Sequence, residues 1–295
     1  MNEAAYTIAL KQDRYPTYIL SDSTAQSRLE VVPERGGLIT GWRIQGQDIL
    51  YLDAERFANP ELSVRGGIPI LFPICGNLPE NLYVHEGQSY KLKQHGFARD
   101  MPWAFRESST DDSASITLAL NSNENTLKVY PFDFELTFTY QIQGRRLLLQ
   151  QHYSNRSGET MPFCAGFHPY FQVLEQNKAQ LEFEIPAKQS QDQHTKEFQP
   201  FNNSFDFDRD EIDAALFPIS SNSAAIANPR QKFKLTLTYS DIFTTLVFWT
   251  VKGKDYCCLE PWSAPRNALN SKENLVYLEP GESCEATVEL SVSYL

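Results

Sequence analysis

Several signatures of common enzyme classes are missing from this chain. There is no G-x-S-x-G nucleophile elbow, no Walker phosphate loop and no dinucleotide glycine fingerprint, which removes the hydrolases, NTPases and oxidoreductases built on them. Nowhere do eighteen apolar residues run together, and Met1 to Leu10 has no basic region followed by a long apolar core. No membrane partner is expected, and the expected compartment is the cytoplasm. Cysteine is scarce: Cys75, Cys164, Cys257, Cys258 and Cys284 are odd in number and have no C-x-x-C spacing. They are expected to be buried free thiols, with the adjacent pair on opposite faces of one strand. Positive charge is also short, at 26 basic against 37 acidic side chains and a net charge of −11. A phosphate backbone is repelled on average, so no nucleic-acid partner is expected, although a few arginines can still build a local anion site.

Helical periodicity is absent too. No window of a dozen residues carries a 3.6-residue apolar repeat, while at least ten short segments alternate or are rich in β-branched and aromatic residues. Strands are expected at Leu29 to Val32, Leu38 to Ile44, Ala114 to Leu120, Phe134 to Tyr140, Leu147 to Tyr153, Leu181 to Ile185, Phe233 to Tyr239, Phe243 to Val251 and Tyr256 to Glu260. Ile49 to Leu52 reads as the return arm of a hairpin, and Asn81 to Gln94 as a hairpin about Glu86-Gly87. A last hairpin is expected from Leu275 to Leu278 and Cys284 to Val292, about Pro280-Gly281-Glu282. Arg65 to Pro79 has too much glycine and proline for a central strand and reads as a shaped loop or edge. The polar stretch Lys188 to Gln199 has no assignment. With 41% hydrophobic residues and no composition break, the sequence implies an all-β protein: one large antiparallel β-sandwich over residues 1–295, with its site at strand exits.

Of the five histidines, His85, His152 and His194 stand in polar or regularly alternating contexts and are set aside. His95 and His168 stand instead in glycine- and aromatic-rich turns. In Cys164-Ala165-Gly166-Phe167-His168-Pro169-Tyr170-Phe171, Phe167, Tyr170 and Phe171 offer an apolar wall for a ring-shaped ligand. Two histidines without a third ligand at suitable spacing make no metal site. The run Asp206-x-Asp208-x-Asp210 fails as a calcium loop, since Glu211 and Phe217 hold the positions of its glycine and glutamate. What remains is a cofactor-free acid–base pair among rings and polar groups, a setting suited to carbohydrate.

Three segments carry a resemblance. Gly166-Phe167-His168-Pro169-Tyr170-Phe171, His95-Gly96-Phe97-Ala98-Arg99 and Leu259-Glu260-Pro261-Trp262-Ser263 closely resemble the aldose 1-epimerase (galactose mutarotase-like) family, from about Val31 to the C-terminus. The resemblance implies a very large antiparallel β-sandwich. It implies His168 as general acid, Glu260 as general base and His95 as a substrate-binding histidine. Asp213, within Glu211 to Phe217, is implied as the aspartate that holds sugar hydroxyls. The arginine that free-sugar mutarotases carry after an asparagine is missing, since Leu78 follows Asn77. Arg65-Gly66-Gly67-Ile68-Pro69 and Gly96-Phe97-Ala98-Arg99 resemble instead the branch acting on glucose 6-phosphate, with Arg65 and Arg99 as its phosphate clamp. The implied activity is interconversion of the α and β anomers of an aldohexose or hexose 6-phosphate, with neither cofactor nor metal. The partner is a small-molecule sugar or sugar phosphate. The alternative is a non-catalytic carbohydrate-binding protein using the same groove.

Overall fold

The computed structural model describes residues 5–295. Three antiparallel sheets make up its body. An N-terminal meander joins Tyr6–Lys11, Thr17–Asp22, Ser27–Val32, Leu38–Ile44 and Gln47–Asp48 in sequence order. An eight-stranded sheet is centred on Arg146–Asn155 and Ser283–Tyr294. A second eight-stranded sheet runs from Phe198–Pro200 through Ala187–Asp192, Glu211–Ile219, Thr245–Val251 and Tyr256–Trp262 to the short segments Gly166–Phe167 and Ile70–Leu71. The α-helices among the described residues are only four or five residues long, such as Ala54–Ala58. None is long and apolar enough to cross a membrane.

The alternation visible in the sequence becomes a burial pattern. In Phe134–Gln143 every second residue, from Phe134 to Ile142, is buried, as a strand with one face on a core requires. Each such side chain contributes about 1.5–3 kcal/mol of transfer free energy. Phe138 reaches across to Phe167 of the other large sheet, ring centroids 6.0 Å apart, so the main core lies between the two. Tyr256–Trp262 differs, because all seven of its residues are buried. Cys257 and Leu259 belong to the main core, whereas Tyr256 and Cys258 pack with Tyr170 and Trp249 on the opposite face. The adjacent cysteines therefore diverge as expected. All five are free, but Cys284 is only partly buried.

Several expected elements change in the structure. Val276–Leu278 pairs with Met161–Phe163, and Ser283–Tyr294 pairs with Arg146–Asn155 and Phe233–Tyr239, so the last hairpin does not form. Two long-range partners each bury an edge of Ser283–Tyr294, which a two-stranded ribbon leaves in water. The arm Ile49 to Leu52 pairs only at Gln47–Asp48; beyond it, Leu50 and Leu52 bridge Phe171 and Gly66. The unassigned polar stretch forms two strands, Ala187–Asp192 and, at the edge of the sheet, Phe198–Pro200. Phe198–Pro200 is exposed, and Ala187–Asp192 buries the polar Ser190 and Asp192, so neither strand carries an apolar alternation. Tyr6–Lys11 and Thr17–Asp22 precede the first strand read from the sequence.

Candidate active site

Glycine sets the first relationship of the site. Gly166 lies between Leu71 and Trp262 in the ladder, where a Cβ would stand 2.8 Å from the Pro261 carbonyl oxygen and 2.9 Å from Trp262 Cδ1. No other residue permits that approach without displacement. Two residues on, the His168 amide donates to the Pro69 carbonyl at 3.0 Å, and that of Tyr170 to Gly67 at 2.9 Å, which fixes the turn. The imidazole then stacks on the Tyr170 ring at 4.7 Å with 12° between planes, and meets the Trp249 ring edge-on at 5.6 Å. Its Nε2 stands 3.3 Å from Glu260 Oε1. Glu260 projects from the strand Tyr256–Trp262 with 1% exposure, and its Oε2 accepts from the Trp262 indole N–H at 3.1 Å.

Burial dominates the protonation of this pair. It pushes Glu260 well above the usual carboxylate range, with the nearby Asp213 adding to the rise. It also carries His168 down to about 3, an effect that the positive charge of Arg99 reinforces. Both shifts favour carboxylic acid beside neutral imidazole over carboxylate beside imidazolium, two forms that differ by one proton moved across 3.3 Å.

His95 is positioned by a reciprocal exchange. Its amide donates to the Gly76 carbonyl at 2.7 Å, while the Gly76 amide donates to His95 Nδ1 at 3.1 Å. Burial, with the neighbouring Arg99, holds the ring well below the usual imidazole range, so it is neutral. Since Nδ1 accepts, the proton is on Nε2, which makes His95 a fixed donor. The His95 and His168 ring centroids are 5.5 Å apart.

All six residues singled out in the sequence line one cavity of about 850 Å3: His95, His168, Glu260, Asp213, Arg65 and Arg99. That volume falls in the range of small-ligand sites. The aromatic wall is not the expected one. Phe167 and Phe171 face the main core, and the cavity is walled by Tyr170, Trp249 and Trp262. The reason is strand alternation, which turns the neighbours of a pocket-facing residue inward. His194, set aside on its polar context, also lines the cavity, with Nε2 3.3 Å from Glu211 Oε2.

An arginine distant in sequence lies beside Asn77. Although Leu78 follows Asn77, the guanidinium of Arg266 donates from Nη1 to Asn77 Oδ1 at 3.3 Å and from Nη2 to both oxygens of Asp213. It lies over the Trp262 ring at 5.4 Å. Gly76, at φ +70°, makes room for it: a Cβ there would stand 2.4 Å from Arg266 Cγ. No pattern around Ser263-Ala264-Pro265-Arg266 announces that role in the sequence. For Asp213, burial pulls the carboxyl upward and the Arg266 guanidinium pulls it down.

Cations that lack acidic partners crowd the rest of the cavity. Arg56, Arg65, Arg99 and Lys196 all line it, and among the described residues none has a carboxylate within 4.0 Å. Arg65 stands over the Trp249 ring at 5.7 Å. Arg99 donates from Nη2 to the Gln94 carbonyl at 2.9 Å, and its Nε is buried without a partner. In a chain of net charge −11 this is a local reversal of sign.

The family model for aldose 1-epimerase matches residues 19–291. The chain belongs to the aldose 1-epimerase family. The Slr1438 protein of Synechocystis sp. PCC 6803 is 49% identical, with a TM-score of 0.94 over 98% of this chain and 100% of that one. A plant protein from Cenchrus ciliaris named "Putative glucose-6-phosphate 1-epimerase" is 24% identical over 87% of this chain and 79% of its own length. A galactose mutarotase-like protein from Clostridium acetobutylicum shares the fold, with a TM-score of 0.82 over 99% of both chains at 18% identity. The architecture is thus the galactose mutarotase-like β-sandwich. Membership makes the protein an isomerase of the carbohydrate epimerase kind, with a mutarotase-type role on small-molecule sugars.

Proposed function

We propose that this aldose 1-epimerase interconverts the α and β anomers of a hexose 6-phosphate, using Glu260 as base and His168 as acid. The observation that carries the reaction is the 3.3 Å separation of His168 Nε2 and Glu260 Oε1 in an aromatic-walled cavity. Mutarotation acts on two oxygens bonded to the same carbon, so its acid and base must stand side by side. A glycosidase needs two carboxyl groups about 5–9.5 Å apart, each free to act. Asp213, the other buried carboxylate near Glu260, is instead held bidentate by Arg266.

In the competent form the shared proton is on His168. The Glu260 carboxylate takes the proton from the C1 hydroxyl while the His168 imidazolium gives its own to the ring oxygen, and the C1–ring oxygen bond breaks. The open-chain aldehyde now faces a carboxylic acid and a neutral imidazole, the pair that burial favours. Rotation about C1–C2 presents the other face of the aldehyde. Return of both protons then closes the ring as the other anomer. His95 Nε2–H donates to a sugar hydroxyl, and Asp213, held by Arg266, accepts from others.

Phosphate recognition is supported by Arg65 and Arg99, which line the cavity without acidic partners, and by the likeness to the plant protein. Guanidinium groups suit a phosphate because they offer paired, charge-assisted donors. The test is NMR exchange or polarimetry of freshly dissolved glucose 6-phosphate beside glucose and galactose. The proposal expects the phosphosugar to have the highest kcat/KM. Equal rates on all three would return the substrate to free aldoses, and no acceleration on any would favour a sugar-binding protein.

A further inference from the structure

Beneath the acid–base pair lies a thiol that the proposed reaction does not use. Cys258 and Glu260 are two residues apart in the strand Tyr256–Trp262, so their side chains leave the same face. Cys258 is wholly buried, opposite Trp249 in one neighbouring strand and Tyr170 in the other. One ligand atom each from His168, Cys258 and Glu260 falls within 4.8 Å of the other two. The sequence offered no such trio, because the histidine joins it only through the tertiary fold.

We propose that His168, Cys258 and Glu260 form a site for a thiophilic divalent cation, Zn2+ foremost, which enters through the sugar cavity. Zinc is held at about 2.0–2.2 Å by nitrogen and oxygen and about 2.3 Å by sulfur, so tetrahedral N and O ligands stand about 3.3–3.6 Å apart. The pair His168 Nε2 and Glu260 Oε1, at 3.3 Å, already has that spacing. Neutral His168 supplies a nitrogen lone pair, while Cys258 and Glu260 release their protons to solvent and bind as thiolate and carboxylate. The two anionic ligands neutralise the dication, so the buried site carries no net charge. Three protein ligands leave a fourth tetrahedral position for a water facing the cavity. The thiolate and imidazole select zinc over magnesium and calcium, which take oxygen ligands. Arg99 and Arg266, whose charges reach this pair, oppose an incoming cation and weaken its hold.

A cation held there occupies the acid and the base together and stops anomer exchange. That inhibition rests on the roles proposed above for His168 and Glu260; the binding itself does not. The test uses full-length protein and Co2+ as a spectroscopic probe, followed by Zn2+. Wild type is expected to show a thiolate-to-cobalt charge-transfer band that Zn2+ abolishes, and Zn2+ is expected to inhibit reversibly, with activity restored by a chelator. Cys258→Ser should lose the band, keep its metal-free rate, and need at least about 10-fold more Zn2+ for half-inhibition. A wild type without the band, a band that persists in Cys258→Ser, or equal zinc sensitivity of the two proteins overturns the proposal. Where the serine variant does not fold, Cys258→Ala replaces it and the wild-type cobalt spectrum decides binding. A band in a protein that accelerates no anomer exchange sinks the mutarotase assignment and leaves the metal site standing.

Discussion

Arg266 donates from one nitrogen to both carboxylate oxygens of Asp213, at 2.9 and 2.8 Å, across 53 residues of sequence. The same guanidinium touches Asn77 and covers Trp262, so one side chain ties three walls of the cavity together. It orients Asp213 and opposes the upward pull of burial on its carboxyl, the arrangement that the proposed acceptance from sugar hydroxyls needs.

Breaking that pair from either side should weaken both folding and binding. Arg266→Ala leaves a largely buried carboxylate with no partner, at a cost of about 1–3 kcal/mol in denaturant unfolding. It should also raise KM. Arg266→Gln combined with Asp213→Asn should cost less than the sum of the single changes, because neither then leaves a charge stranded. Simple additivity in the double-mutant cycle would show that the two side chains are not coupled.

The acid and the base should fail together. Glu260→Gln and His168→Asn are each expected to lower kcat by about 10²- to 10⁴-fold with little change in thermal midpoint. The double variant should be scarcely worse than either single one, since the residues act as a unit. Near-wild-type exchange in NMR for both single variants would end the assignment.

Protonation of the pair gives a pH profile unlike that of free side chains. Activity needs one proton on the pair. A second is taken up only as pH falls to about 3, where His168 becomes charged beside a protonated Glu260. The single proton is lost only as pH rises through the elevated Glu260 value. The acid limb of kcat/KM should therefore lie near pH 3, and the basic limb should be displaced well above the usual carboxylate range. A bell confined between the ordinary carboxylate and imidazole values would mean that burial does not shift the pair in the free enzyme.

Arg65→Ala and Arg99→Ala should separate substrates. Each should raise KM for glucose 6-phosphate by about 10-fold or more, since hydrogen bonds to charged groups contribute about 1.5–3 kcal/mol, while the constants for glucose barely change. Raising the salt concentration should weaken the phosphosugar preference in the wild type and less so in the variants. Equal losses for phosphosugar and free sugar would make both arginines structural.

Much of the fold was legible because a sheet with one face on a core imposes a period of two. Phe134–Gln143 and Phe233–Tyr239 alternate buried and half-exposed residues, and the sequence alternates with them. Ala187–Asp192 escaped, since two of its buried positions are the polar Ser190 and Asp192 and leave no such trace. The last hairpin was misplaced for a related reason: alternation shows that Ser283–Tyr294 is a strand but carries no information on which strands flank it. Pairing is a long-range property.

The sequence by itself determined the residue chemistry: a histidine in a rigid Gly/Pro turn, a glutamate in a strand, a second histidine in a glycine-rich turn at a strand exit and two arginines near glycines. It did so because catalytic groups in tight turns demand local backbone conformations that only certain neighbours permit. The tertiary structure decided which of those groups meet. It set His168 against Glu260, brought Arg266 to the place beside Asn77, turned Phe167 and Phe171 inward in favour of Trp249 and Trp262, and laid Cys258 under the pair. Those contacts join residues tens to hundreds of positions apart, and their distances follow from how two large sheets twist and pack, which no local pattern encodes.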